Sequence, residues 1–313
     1  MSRVTVGVDL GGTKLAVVRL SDGAIEARER LANTAFSDGL VACAIAGVAS
    51  AWTDEVEAIG VGVAGLVRWP DGVFVWGPHV AGHDVSLRTE LESHFGVPVV
   101  VDNDANVTLH AEAITGAAVD RDDAVLVTLG TGIGGAVLAG GAIQRGGSFA
   151  GEFGHIAVAA DGEPCACGRS GCWETMASGP ALARLALREA ARDAQSTFAR
   201  AMPSSGIPEA VLALAATGDT TSTRLVNEVG VALGHGLVIL TTVLDPQVIV
   251  VGGGFGSAAG DLLLDPAREA LAAGLHGQPH RSAPPIVTAH HGSDGGAIGA
   301  ALVARGAVEE EPS

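Results

Sequence analysis

The residues with the clearest chemistry are one histidine and three cysteines that lie close together in the sequence. His155, Cys165, Cys167 and Cys172 follow the spacing H-x9-C-x-C-x4-C. Three thiolates and one imidazole form a closed tetrahedral shell of the kind that holds structural zinc. Redox chemistry is less favoured, because this group contains no C-x-x-C pair. The spacing therefore predicts a structural Zn²⁺ site, with three free thiols in a loop as the alternative.

Polar side chains lie next to this predicted zinc site, and their types suit a ligand that carries hydroxyl groups. Glu152, His155 and Glu174 stand at or beside the loop 151–171, which holds the first two cysteines. A zinc-bound histidine keeps a second ring nitrogen that can donate a hydrogen bond, and carboxylates accept hydrogen bonds from hydroxyl groups. We therefore expect zinc to order the loop so that these three side chains bind a ligand.

A second polar group, Asn103 and Asp104, follows the apolar strand predicted over 97–101. Ligands of open α/β sheets collect at the carboxyl ends of strands, where these two side chains can hold two hydroxyls. Asp104 can also accept a proton from one hydroxyl. An ordinary aspartate, with a pKa of about 3.9, is a weak base, but phosphoryl transfer mainly needs a correctly aimed hydroxyl. The alternative is that Asp102 or Asp104 caps the next helix, with Asp102 favoured as the cap.

Three glycine-rich turns offer backbone N–H groups to the phosphates of a nucleotide. Asp9 in the first turn is expected to hold Mg²⁺ through water, and the third turn suits a base or ribose. The candidate nucleotide-binding residues are Asp9, Gly11, Gly12, Thr13, Lys14, Gly130, Thr131, Gly132, Gly253 and Gly254. No turn is specific alone, because the sequence has neither G-x-G-x-x-G after the first strand nor G-x-x-x-x-G-K-[ST].

The elements that must position these residues alternate between strands and helices, which predicts an α/β fold with largely buried sheets. DLGGT at 9–13 aligns with TLGTG at 128–132, each between two apolar runs. Such a repeat indicates two related lobes, with two ordinary hairpins as the alternative. The apolar stretch 229–244 is interrupted by Gly234, His235 and Gly236, so we interpret it as a buried helix and not a membrane span.

Further helices are predicted over 39–52, which contains Cys43 as a core residue, and over 85–95, with Asp84 as the cap. Others are predicted to begin near Ser257 and to cover 295–304. Predicted strands cover 4–8, 15–20, 59–63, 97–101, 124–129, 136–139, 248–251 and 286–289.

The bulk composition describes a folded and acidic chain. Its 313 residues are 48% hydrophobic and 17% charged, and the net charge is −17. The length suits two domains or one large domain, and the negative charge disfavours nucleic acid as a general partner. The sequence shows no targeting segment or membrane span, so we expect a cytoplasmic protein with no membrane partner.

Six motifs together resemble one family. DLGGTK (9–14), NDAN (103–106), GTGIGG (130–135), EFGH (152–155), CACGRSGCWE (165–174) and VGGG (251–254) occur in this order. This combination resembles the ROK family of bacterial sugar kinases and sugar-responsive repressors, and within it the actinobacterial-type glucokinases. The sequence departs from the family pattern at Gly77-Pro78-His79 and at HHGSDGG (290–296).

The resemblance implies the two-lobed actin/hexokinase/Hsp70-type ATPase fold, with ribonuclease H-like lobes and a cleft between them. A smaller lobe would comprise residues 1–115 and a helix at about 295–313, and a larger lobe, 116–294, would carry the zinc loop. Asp104 would be the general base for the sugar 6-hydroxyl. The other sugar ligands would be Gly65, Asn103, Glu152, His155 and Glu174. The DLGGT and GTGIGG turns would hold the phosphates of ATP with Mg²⁺, and the chains would form homodimers or homotetramers.

An ATP-dependent hexose kinase with glucose as its substrate is therefore the expected function. Kinases for mannose, fructose, N-acetylglucosamine or N-acetylmannosamine are alternatives within the family, and polyphosphate is an open alternative to ATP. A non-catalytic sugar sensor is disfavoured by the presence of Asp104. A DNA-binding repressor is disfavoured because the chain is acidic and only eight residues precede Asp9.

Overall fold

A computed structural model of the chain describes residues 3–11, 14–32, 45–46, 49–52, 55–78 and 80–310, except the side chains of residues 14, 32 and 310. The strands are β1 Val4–Leu10, β2 Lys14–Ser21, β3 Ala24–Ala32, β4 Ala58–Val63, β5 Leu66–Arg68, β6 Val73–Trp76, β7 Val99–Asn103, β8 Ala124–Leu129, β9 Ile133–Ala139, β10 Ala142–Ile143, β11 Val248–Gly252 and β12 Ile286–Thr288. The helices are α1 Leu87–Phe95, α2 Asp104–Thr115, α3 Gly179–Arg192, α4 Thr197–Ala201, α5 Ile207–Ala216, α6 Thr220–Leu244, α7 Gly254–Ala259, α8 Asp261–Gly274 and α9 Gly295–Glu310.

Two five-stranded sheets have the same strand order. The first runs β3-β2-β1-β4-β7 and the second β10-β9-β8-β11-β12. In the first sheet β1 pairs antiparallel with β2 and parallel with β4, and β4 pairs parallel with β7. In the second sheet β11 pairs parallel with β8 and β12. The shared order confirms that the strand–glycine turn–strand pattern occurs twice.

The chain forms two compact units, each assembled from separate stretches of sequence. The first unit contains Met1–Arg121, Ala136–Gly151 and His290–Ser313, and the second contains Asp122–Gly135 and Glu152–Ala289. The lobe boundaries implied by the resemblance, at 1–115 and 116–294, stay a prediction.

Small residues allow α9 to pack very closely on the first sheet. A β-carbon on Gly7, in the middle of β1, would lie 1.9 Å from the carbonyl oxygen of Ala297, and one on Gly60 in β4 would lie 1.8 Å from that of Ala300. Backbone at this distance leaves no room for any side chain on the strand. The valine-rich strands therefore contain glycine where the helix crosses them.

Helix α6 is the long apolar helix that the sequence predicted within 229–244. Its length and composition would also suit a membrane span, but 56% of its most apolar window is buried in the protein. A β-carbon on Gly236 would lie 2.0 Å from the Trp173 ring, and the indole nitrogen of Trp173 donates to the Ala232 carbonyl at 2.9 Å. The prediction of a buried helix is confirmed. The Trp173 ring packs directly against Gly236, where no side chain would fit.

Two predicted helix starts were wrong. Helix α1 begins at Leu87 after Ser86, and Asp84 adopts a φ of 51°, so it does not cap the helix. Helix α7 begins at Gly254 and not near Ser257, because Gly253 turns the chain at a φ of 80° directly after β11. Most of the helix predicted over 39–52, including Cys43, lies outside the described residues.

Candidate active site

The carboxyl ends of β1, β4 and β7 meet at one edge of the first sheet. Asp9 is the register partner of Gly62, and Gly62 is the partner of Asp102 on the other side. A β-carbon on Gly62 would lie 2.6 Å from Val107 and 3.8 Å from an Asp9 carboxylate oxygen. The three strands therefore bring Asp9 and the polar group Asn103-Asp104 to the same edge.

Asn103 caps the helix on which Asp104 is the first residue. Its side-chain oxygen accepts hydrogen bonds from the N–H groups of Ala105 at 2.9 Å and Asn106 at 3.3 Å. Its amide nitrogen donates to the carbonyl of Gly65 at 3.0 Å, which joins the helix start to another of the sugar ligands that the resemblance implies.

The expectation that Asp102 is the cap was therefore wrong. Its carboxylate is buried and is occupied by the Arg145 guanidinium and by Asn106.

Asp9 and Asp104 form an electrostatically coupled pair of carboxyl groups. Burial, and after it the charge of Asp104, raises the pKa of Asp9 to about 7. One carboxylate oxygen of Asp9 is buried and has no hydrogen-bond partner among the described residues. A β-carbon on Gly296 would lie 2.4 Å from the other oxygen, so the start of α9 packs directly against this carboxyl group. A divalent cation would supply the charge and the ligand that Asp9 lacks.

The rest of the first phosphate loop is only partly described. Gly11 is half-buried at the end of β1. Gly12, Thr13 and the side chain of Lys14 lie outside the described residues, so their predicted contacts with a nucleotide stay a prediction.

The four predicted zinc ligands come together in the second unit. The ligand atoms of His155, Cys165, Cys167 and Cys172 all lie within 4.8 Å of one another. The sulfurs of Cys167 and Cys172 are 3.5 Å apart, and the sulfur of Cys165 is 3.7 Å from Nδ1 of His155. Zinc–sulfur bonds of about 2.3 Å in a tetrahedron place neighbouring ligands about 3.8 Å apart. The donor set and its spacing therefore fit one four-coordinate ion.

Short backbone bridges fold the cysteine loop tightly enough to gather these ligands. Ala157 pairs with Cys172, and Pro164 pairs with Ser170. Gly171 has a φ of 75°, and a β-carbon on it would lie 1.8 Å from the carbonyl oxygen of Ala159. Only glycine fits there, because the backbone conformation is left-handed and the neighbouring chain is in contact.

Two carboxylates border this cluster. Oε1 of Glu174 lies 3.6 Å from Nδ1 of His155 and 3.0 Å from the sulfur of Cys165. Burial raises the pKa of Glu152; the nearby His155 opposes this shift and the charge of Glu174 adds to it. The structure therefore brings together the three side chains that the sequence assigned to a hydroxylated ligand.

The second glycine-rich turn, at 130–132, contacts Glu174. A β-carbon on Gly132 would lie 2.5 Å from Oε2 of Glu174. Gly252 is the register partner of Thr128, so the turns 130–132 and 253–254 leave adjacent parallel strands at the same edge. A β-carbon on Gly253 would lie 2.3 Å from the carbonyl oxygen of Leu129. Both turns present backbone at one edge of the second sheet, which is the geometry expected for phosphate or ribose binding.

Sequence reasoning did not anticipate the role of Glu112. This carboxylate is fully buried and accepts hydrogen bonds from the N–H groups of Ala117 at 2.7 Å, His290 at 3.0 Å and His291 at 2.9 Å. The unusual HHGSDGG segment is thus tied to α2 through its backbone. No local motif marks Glu112, because two of its three partners lie 178 and 179 residues away in the sequence.

The comparisons with known proteins cover nearly the whole chain. The sequence profile of the ROK family matches residues 5–307. A glucokinase of Streptomyces coelicolor is 34% identical over 310 residues, which is 96% of this chain and 98% of the relative.

Two solved structures are similarly close. A ROK family glucokinase from Streptomyces griseus, crystallised in complex with glucose and AMPPNP, has a TM-score of 0.86 at 35% identity and covers 97% of this chain and 99% of its own. A ROK hexokinase from Thermus thermophilus has a TM-score of 0.81 at 33% identity, over 99% of this chain and 100% of that one.

Proposed function

The chain belongs to the ROK family, and we propose that it is an ATP-dependent glucokinase that phosphorylates the 6-hydroxyl of glucose. Its fold is the actin/hexokinase-type ATPase fold of the solved ROK kinases. The observation that carries the proposal is the position of Asp104, at the carboxyl edge of the first sheet, in a chain that is 34% identical to a glucokinase.

Asp104 acts as the general base in this proposal. Its carboxylate aligns the sugar 6-hydroxyl and takes up its proton as the oxygen attacks phosphorus. A weak base suffices, because the loose transition state of phosphoryl transfer depends mainly on the aim of the hydroxyl. Asn103 fixes the start of α2, and one of its two amide hydrogens is used by Gly65. The other can bind a neighbouring sugar hydroxyl.

Glu152, His155 and Glu174 bind the remaining sugar hydroxyls. The two carboxylates accept hydrogen bonds, and His155 directs Nδ1 towards the cysteine sulfur, which leaves Nε2 for the sugar. His155, Cys165, Cys167 and Cys172 would hold Zn²⁺, and the ion would supply a rigid crosslink for the loop. A loop of this kind has little core of its own, so metal binding and sugar binding are coupled through its folding.

The glycine turns bind the nucleotide. The turns at 9–14 and 130–132 hold the phosphates, and Gly253 and Gly254 approach the ribose or base. Asp9 would hold Mg²⁺ through water, and the ion would neutralise charge on the phosphate oxygens. We also propose that the enzyme is cytoplasmic and forms homodimers or homotetramers, as implied by its family.

The test is a coupled ADP-release assay with purified enzyme over a panel of hexoses, with ATP and with polyphosphate as donors. We expect the highest kcat/KM with glucose and ATP, and ³¹P NMR should identify a 6-phosphate. A higher kcat/KM for mannose or N-acetylmannosamine would overturn glucose as the substrate but keep the reaction class. Absence of hexose-dependent ADP release would overturn the function.

A further inference from the structure

An ion pair joins Arg145 to buried Asp102, which lies two residues before the proposed catalytic base. Nε and Nη2 of Arg145 lie 2.8 Å and 2.7 Å from Oδ2 of Asp102. The side chains of Arg145 and Asp102 are only 18% and 3% exposed. Charge-assisted pairs of this geometry are strong, and breaking one at a single partner leaves an uncompensated buried charge.

The other oxygen of Asp102 connects the strand to the helix that carries Asp104. Oδ1 accepts hydrogen bonds from the N–H of Asn103 at 2.7 Å and from the side-chain nitrogen of Asn106 at 2.9 Å. These two partners stand on either side of Asp104 in the sequence, and Asn106 is itself buried. The Asp102 carboxylate therefore fixes the end of β7 and the first turn of α2 as one piece.

Arg145 also contacts residues other than Asp102. Its guanidinium carbon lies 3.9 Å from the centroid of the Trp69 ring, and Nη1 donates to the carbonyl of Ile143 at 3.3 Å. The Ser148 hydroxyl bonds the backbone N–H and carbonyl of Trp69 at 3.2 Å and 3.3 Å. Stacking on an indole adds a cation–π attraction to the ion pair. The guanidinium is thus fixed in position and directed at Asp102.

We propose that Arg145 is a positioning residue for Asp104 and acts through Asp102. The inference rests on the proposed role of Asp104 as the base. Without the guanidinium, the buried Asp102 carboxylate loses the charge that compensates it, and its hold on Asn103 and Asn106 loosens. A displacement of about 1 Å in a reacting group can lower a rate about 100-fold. Arg145 has no proposed contact with either substrate, so its loss should act on the chemical step.

The primary variant is Arg145→Met, with Arg145→Lys as the conservative control. We expect Arg145→Met to lower kcat about 30-fold while the KM for ATP stays within about twofold of the wild type. The rate is expressed per functional glucose-binding site, and calorimetric titration with glucose gives the number of such sites. Lysine restores the positive charge but not the planar fork or the stacking on Trp69, so Arg145→Lys should recover only part of the rate. A kcat per site within twofold of the wild type in Arg145→Met would overturn the inference.

A double-variant cycle separates positioning from a general loss of structure. In an Asp104→Asn background, measured with radiolabelled ATP, Arg145→Met should change the residual rate by less than about twofold, because the residue through which Arg145 acts is gone. An undiminished 30-fold loss in that background would overturn the inference.

If Arg145→Met does not fold, Asp102→Asn/Arg145→Met removes both charges together, and it should fold with a lowered kcat. Wild-type kcat in that variant overturns the inference.

The proposed function has its own independent outcome. If Asp104→Asn alone keeps its activity, the assignment of the base is wrong whatever Arg145→Met does. An inactive Asp104→Asn together with a fully active Arg145→Met overturns the positioning role alone.

Discussion

Gly132 lies so close to Glu174 that a β-carbon on the glycine would stand 2.5 Å from the glutamate Oε2. The turn proposed to hold phosphate and the carboxylate proposed to hold sugar are therefore in contact within the second unit. An alanine at 132 would displace the carboxylate end of the flexible Glu174 side chain, and it would not touch the backbone of neighbouring segments. The contact gives the first prediction.

Gly132→Ala should raise the KM for glucose at least tenfold, because the methyl group pushes the Glu174 carboxylate away from its position. The thermal unfolding midpoint should change by less than about 2 °C. Steady-state kinetics and calorimetry measure both quantities. Gly306→Ala is the matched control, since nothing lies within 4 Å of a β-carbon there. An unchanged KM in Gly132→Ala would show that the glutamate does not bind the sugar.

Asp104→Asn should lower kcat about 100- to 10,000-fold, the usual range for loss of a general base. Glucose affinity should change only a few-fold, because the amide keeps the size and the hydrogen-bonding capacity of the side chain. Kinetics with ATP and calorimetric glucose titration test this pair of expectations. Asp71→Asn, at an exposed turn residue, should behave as the wild type. A loss of kcat below tenfold would remove Asp104 from the role of base.

Purified protein should contain about one zinc per chain, and Cys167→Ser should lower thermal stability and glucose affinity together. Both effects have one cause, because loss of a ligand loosens the loop that positions His155 and Glu174. Elemental analysis, thermal unfolding and glucose titration give the three readouts. Ser170→Ala serves as the control, because the bridge from Ser170 to Pro164 in the same loop is a backbone pairing. If zinc-free Cys167→Ser binds glucose as tightly as the wild type, metal binding and sugar binding are not coupled.

Asp9→Asn should stabilise the metal-free protein at pH 8 and have no effect at pH 3.5. Burial and Asp104 raise the pKa of Asp9 from 3.8 to about 7, so the unfolded chain releases this proton before the folded chain does. Ionisation therefore lowers stability progressively as pH rises from about 4 to 7. Thermal unfolding in chelator should show a gain of several degrees for Asp9→Asn above pH 7.

Activity of Asp9→Asn with Mg²⁺ and ATP should fall, because the amide is a poorer cation ligand. The same exposed variant, Asp71→Asn, controls for a change in net charge. A stability gain that is equal at all pH values would rule out ionisation of Asp9 as its source.

Glu112→Gln should lower the free energy of unfolding by about 2–4 kcal/mol. The carboxylate accepts three backbone hydrogen bonds, and an amide replaces one accepting oxygen with a donor that faces N–H groups. Urea unfolding followed by circular dichroism measures the change. Glu90→Gln, on the exposed side of α1, should stay within about 0.5 kcal/mol of the wild type. An equally small effect at Glu112 would mean that water replaces the lost acceptor.

Local patterns in the sequence were enough to predict that His155 and the three cysteines lie together, that two acids follow a strand end, and that the strand–turn–strand unit is repeated. Zinc binding by the first group stays a prediction. Each of these predictions depends on a short sequence motif, or on the rule that parallel strands end at one edge. The ion pair and hydrogen bonds that hold these groups in place were not predictable in the same way. Arg145 meets Asp102 across 43 residues, and Glu112 meets His290 across 178. Nothing in the local sequence around a buried charge identifies a partner that only the tertiary fold supplies.

The misplaced cap shows the same limit at short range. Asp102 and Asn103 are both good capping residues, and their order in the sequence does not choose between them. The choice follows from where the helix begins: Asn103 directly precedes Asp104, the first residue of α2, and its side-chain oxygen accepts the N–H of Ala105. The Asp102 carboxylate is bound by Arg145 and by the side chain of Asn106.

The close fit of α9 on Gly7 and Gly60 also constrains how the protein is made. All of the second unit, residues 122–135 and 152–289, is translated before α9 at 295–310. On the ribosome, the face of β1 and β4 that α9 covers must therefore remain bare while about 230 further residues emerge after β4. The unit whose strands are synthesised first is therefore the one completed last, and until α9 emerges its uncovered apolar strand face is of the kind that makes nascent chains prone to aggregate.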